Sequence, residues 1–91
     1  MVRGKTETGF AFKLEDEARD DMELLEMLTA MGKGDLTVMP DVLVSLLGAD
    51  QKKKLYDHCR GKSGRVSSKR VAEELEGIFK CLGEKDNEVK N

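Results

Sequence analysis

Between Val71 and Leu82 the apolar residues Val71, Leu75, Ile78, Phe79 and Leu82 recur at i, i+4, i+7, i+8 and i+11. That spacing lines one face of an α-helix and cannot line one face of a strand. A helix with a single apolar face is stable only when another element covers that face, so the rest of this short chain must supply the cover. Ser67 or Ser68 stands where a cap belongs, which predicts a helix over about 68–82.

Three further helices are expected upstream. Leu24, Leu25, Met27, Leu28 and Met31 follow at helical spacing after Asp20, with Glu23 three residues beyond it. That is the spacing of a capping box, and Gly32 can end the helix, giving about 21–31. A Gly32-Lys33-Gly34-Asp35 loop, with Asp35 able to cap, leads to a helix over about 37–47 that keeps Pro40 in its first turn. Its apolar residues Val42, Leu43, Leu46 and Leu47 are the most hydrophobic set in the chain and belong at the centre of a core. After Gly48 a helix over about 51–60 turns Leu55 and Cys59 inward and Lys52, Lys53 and Lys54 toward water.

The N-terminus has a different period. Phe10, Phe12 and Leu14 alternate with polar neighbours after a Thr8-Gly9 turn, which predicts a β-hairpin over about 3–14. The expected architecture is therefore mainly α (α+β): a short N-terminal β-hairpin followed by four short helices packed as a small bundle. One globular domain over 1–83 suits a chain of 91 residues, with a disordered charged tail at 84–91.

Composition narrows the function classes. No apolar run approaches the ~18 residues of a membrane span, and the polar start of the chain does not read as a secretory signal. Cys59 and Cys81 both fall on apolar helix positions and are expected as reduced thiols. Charge is unevenly distributed. Residues 14–50 carry ten acids against Arg19 and Lys33, whereas residues 51–70 carry eight bases against Asp57. Such a dipolar chain suits oriented association with a partner or with itself.

No constellation for chemistry survives inspection. A phosphate loop ending at Gly61-Lys62-Ser63 needs a glycine where Tyr56 stands, and one ending at Gly32-Lys33 needs it at Met27. Asp57, His58 and Cys59 are adjacent, so on a helix they point apart and do not form a ligand set. His58 is the single imidazole, and no nucleophile turn accompanies it. The chain is expected to be no enzyme and to need no cofactor or metal. The basic stretch 51–70 could serve a small nucleic-acid-binding regulator, but no aromatics interleave with the cations to stack bases. Glu73, Glu74 and Glu76 would also face phosphates.

Several segments together resemble a known family. These are Gly9-Phe10-Ala11-Phe12, Asp20-Asp21-Met22-Glu23-Leu24-Leu25, Pro40-Asp41-Val42-Leu43 and Leu46-Leu47-Gly48. They continue with Gln51-Lys52-Lys53-Lys54-Leu55-Tyr56-Asp57-His58, Gly64-Arg65-Val66 and Ile78-Phe79. Over residues 8–83 the chain resembles the tail assembly chaperones of long-tailed bacteriophages and prophages of Gram-positive bacteria. The resemblance implies a non-catalytic protein of the host bacterial cytoplasm. Its partners would be the tape-measure protein, which it keeps soluble, and the tail-tube protein, which it helps recruit. Three regions are expected to make these contacts: the hairpin face with Phe10 and Phe12, the methionine cluster Met22, Met27, Met31 and Met39, and the run Lys52, Lys53 and Lys54. Methionine adapts its shape to a partner, although the same residues also serve as core filler where aromatics are few.

Overall fold

The computed structural model describes residues 1–90, with side chains as far as Gly83. The expected tail at 84–91 lies outside the residues described at that level. Two antiparallel strands, β1 (Val2–Lys5) and β2 (Ala11–Leu14), open the chain in the register Val2↔Leu14 to Lys5↔Ala11. Gly9 turns the hairpin with a φ of 97°. A short 3-10 turn (Asp16–Asp20) leads into α1 (Met22–Gly32), and a second (Leu36–Val38) leads into α2 (Met39–His58). The last helix is α3 (Ser68–Lys90).

Among the described residues there are thus three helices and not the expected four. The two helices predicted at 37–47 and 51–60 are the arms of α2. Gly48 sits between them with φ 81° and ψ 163°, outside the helical region, so the chain kinks there without an intervening loop. Gln51 holds the bend. Its side-chain amide donates to the Leu47 carbonyl at 2.8 Å, on the far side of the kink. The same carboxamide accepts from the Lys13 amide at 2.8 Å and donates to the Lys13 carbonyl at 2.7 Å. Gln51 therefore pairs with the outer edge of β2 much as a third strand would, fixing the hairpin to α2.

The start of α1 also differs from the expectation. Asp20 belongs to the preceding 3-10 turn, and Asp21 is the cap, accepting from the amides of Glu23 and Leu24 at 2.9 and 3.2 Å. The 3-10 turn uses up residues 16–20 and so moves the helix start by one position. At α3 the cap is Ser67, whose hydroxyl accepts from the Arg70 amide at 3.2 Å.

A two-stranded hairpin is marginal by itself and needs a covered face. Phe10, Phe12 and Leu14 are that face, and all three are buried against the helices. The first arm of α2 supplies the centre of the core with Val42, Leu43, Leu46 and Leu47, while Val71, Leu75, Ile78 and Leu82 close it from α3. Cys59 and Cys81 are free thiols. Among the described residues, no helix is long and apolar enough to cross a membrane.

Candidate functional site

Two regions hold chemistry or surface that the core does not consume. The first is a polar cluster inside the fold. Glu74 lies on the inward side of α3, between Val71, Leu75 and Ile78, and is only 5% exposed. Its two carboxylate oxygens accept from the hydroxyls of Thr6 at 2.7 Å and Thr8 at 2.8 Å, both in the hairpin turn. The Thr6 hydroxyl also accepts from the Phe10 amide at 3.1 Å. His58, at the end of α2, has its Nε2 at 2.9 Å from the Thr8 hydroxyl and 3.7 Å from Glu74 Oε1, and its ring is 5.6 Å from that of Phe10.

The hydrogens in this cluster can be assigned by counting. An ionised carboxylate only accepts, and each hydroxyl has a single proton. With the Thr8 proton given to Glu74, His58 Nε2 must carry a hydrogen and donate to Thr8. The imidazole is therefore not a base facing a hydroxyl, which is the arrangement nucleophilic catalysis requires. What the geometry performs is a clamp: three distant segments meet on one carboxylate, and no buried side-chain nitrogen or oxygen among the described residues lacks a partner. The nearby Cys59 thiol is pushed above its ordinary range by burial and by the Glu74 charge, with Arg70 opposing.

The second region is a pair of adjoining hollows on the outside. One, of about 530 Å³, lies between the start of α1 and α3, with Leu28, Leu46, Phe79 and Leu82 in its lining. The other, of about 520 Å³, lies between the 3-10 turn before α1 and the kink of α2. They share Ala18, Asp21 and Leu46. Met22 and Leu25 border the first with 64% and 54% of their surface exposed, and Val44 borders the second.

The residues expected to contact partners are dispersed by the fold. Phe10 and Phe12 face the core, so that pair is not an open docking face, because with Leu14 it is the apolar face that the hairpin buries against the helices. Met39 is buried, Met27 and Met31 are half-buried against the core, and Met22 alone of the four is openly exposed. Lys53 and Lys54 are exposed, while Lys52 lies over the Tyr56 ring with its Nζ at 5.4 Å from the centroid. Among the described residues, no group of three or more His, Cys, Asp or Glu is placed to hold a metal ion.

Sequence reasoning missed the roles of Glu74, Thr6 and Thr8, and grouped Glu74 with Glu73 and Glu76 as acids that would face phosphates. A signal was present. Glu74 falls three residues after Val71 and four before Ile78, within the apolar face, where a carboxylate needs buried donors. Comparison with known protein families, characterised proteins and solved structures finds no match for this chain.

Proposed function

We propose that the chain is a non-catalytic chaperone of phage tail assembly. It binds a long helical tape-measure protein in the host cytoplasm and helps to bring tail-tube subunits to it. The carrying observation is the exposure of Met22, Leu25 and Val44 around adjoining hollows. Exposed apolar side chains gathered around hollows mark surfaces that a partner covers. The likeness of residues 8–83 to tail assembly chaperones supplies the class of client. Co-expression with the long protein encoded immediately downstream tests the reading. Co-elution of the two, with the long protein insoluble when made alone, is the expected result. An insoluble long protein beside an unaltered small one would remove the chaperone reading.

One observation favours a second reading, a nucleic-acid-binding regulator: Lys53, Lys54, Lys62, Arg65, Lys69 and Arg70 are all exposed. Retention on heparin or DNA that falls steeply with salt would support it.

A further inference from the structure

The apolar side chains that the fold leaves uncovered are not scattered. Among the described residues the exposed large hydrophobics are Met1, Met22, Leu25, Leu36 and Val44, and three of these five border the double hollow. The charges lining the hollow are equally one-sided. Glu15, Glu17, Asp20, Asp21 and Asp50 stand there against Lys13 and Arg19. The apolar floor runs between two helices, α1 and α3, and the groove between two helices is the seat that a third amphipathic helix fills. The acidic rim selects among such helices, since cations flanking the apolar stripe are attracted and anions repelled.

A second copy of this chain does not match that description. Its bases are concentrated in 51–70, and none of the exposed large hydrophobics lies there. Its own Met22, Leu25 and Val44 are bordered by the same acids and would bring like charges together.

We propose that the double hollow docks a cationic amphipathic helix of a partner protein. The apolar stripe of that helix sits on Met22, Leu25 and Val44, and its Lys or Arg residues face Glu15, Glu17, Asp20 and Asp50. The inference rests on the protein-binding reading above and adds to it the face used and the charge of the bound segment.

The test uses the full chain and two labelled synthetic peptides of about 18 residues, long enough for several helical turns. Both carry the same leucine stripe; one has lysine and the other glutamate at the polar positions. Fluorescence anisotropy reads the affinity, and NMR shift mapping reads the face. The lysine peptide binds, and the glutamate peptide does not. The double variant Met22→Ala/Leu25→Ala weakens binding by about tenfold or more, as expected for central apolar contacts. Glu17→Lys/Asp20→Lys weakens it as well, whereas Leu36→Ala, at an exposed apolar residue outside the hollow, leaves it unchanged. All of these positions are exposed, and circular dichroism checks that each variant is folded.

Three results overturn the proposal: lysine-peptide binding indifferent to both double variants, glutamate-peptide binding of equal strength, or no binding of either peptide. Self-association of the wild type that Met22→Ala/Leu25→Ala abolishes would also overturn it, assigning the hollow to a second copy. The outcome is separable from the chaperone reading. Peptide binding as described, with no co-elution of the downstream protein, removes the client and keeps the docking site. Co-elution without peptide binding does the reverse.

Discussion

Removing the Glu74 carboxylate is the most informative perturbation of this fold. In Glu74→Ala the Thr8 hydroxyl can turn to water, because Thr8 is exposed, but Thr6 is 6% exposed and keeps only the Thr8 hydroxyl oxygen, at a long 3.3 Å, in place of the carboxylate. Losing a short bond from a buried hydroxyl to a charged acceptor costs about 1–3 kcal/mol. Loss of the buried side-chain methylene adds about 0.8 kcal/mol. Relief of the desolvated carboxylate returns part of this. The net expectation is a loss of roughly 2–3 kcal/mol, equivalent to about 10–20 °C in melting temperature for a domain of this size. Glu74→Gln should lose about half as much, since its amide still accepts from one threonine hydroxyl. Thr6→Val removes both the donor to Glu74 and the acceptor of the Phe10 amide. It should therefore also abolish the hydrogen-exchange protection of that amide. Combining Thr6→Val with Glu74→Leu replaces both partners by apolar groups, and the pair should cost at least about 1 kcal/mol less than the sum of the single variants. Urea unfolding followed by circular dichroism measures these four and the single Glu74→Leu variant that the sum requires. A Glu74→Ala midpoint shift worth under about 0.5 kcal/mol, or strict additivity in the double variant, would refute the clamp.

Four other expectations follow from the local structure. Asp21→Ala should cost about 1 kcal/mol by removing the cap of α1, while Asp20→Ala should stay within about 0.5 kcal/mol; thermal melts giving the reverse order would return the cap to Asp20. Gly48→Ala should destabilise by about 1–3 kcal/mol through backbone strain alone, because the φ of 81° is closed to alanine and nothing lies within 4 Å of an added Cβ. Wild-type stability in that variant would mean that the chain does not kink there. Iodoacetamide should modify the half-buried Cys81 at least about tenfold faster than the buried Cys59, whose thiolate is disfavoured by burial and by Glu74. The folded chain holds the Cys59 proton more tightly than the unfolded chain does. This contribution to stability is present below the ordinary thiol value of 9.0 and lost as pH rises through the raised one. Cys59→Ala should therefore flatten the alkaline limb of stability measured by urea unfolding.

What the amino-acid order determined by itself is the pattern of short period. The alternation of Phe10, Phe12 and Leu14 placed them on one face of a hairpin, and the spacing from Val71 to Leu82 placed that stripe against the core. Both patterns depend only on residues a few positions apart, so backbone geometry reads them directly. Gly48 was recognisable as a break for the same reason. Tertiary contacts decided that the break is a kink inside α2, because Gln51 bonds both to Leu47 and across to Lys13 on the strand. They likewise decided which hydrophobics are covered: of four methionines expected to act together, Met39 went into the core and Met22 stayed in water. The clamp was the least legible feature. Thr6 and Glu74 are 68 positions apart, and Thr8 and His58 are 50 apart. No local pattern joins such residues. Only the packing of hairpin, α2 and α3 brings their polar atoms within bonding distance, and only that packing makes the carboxylate need them.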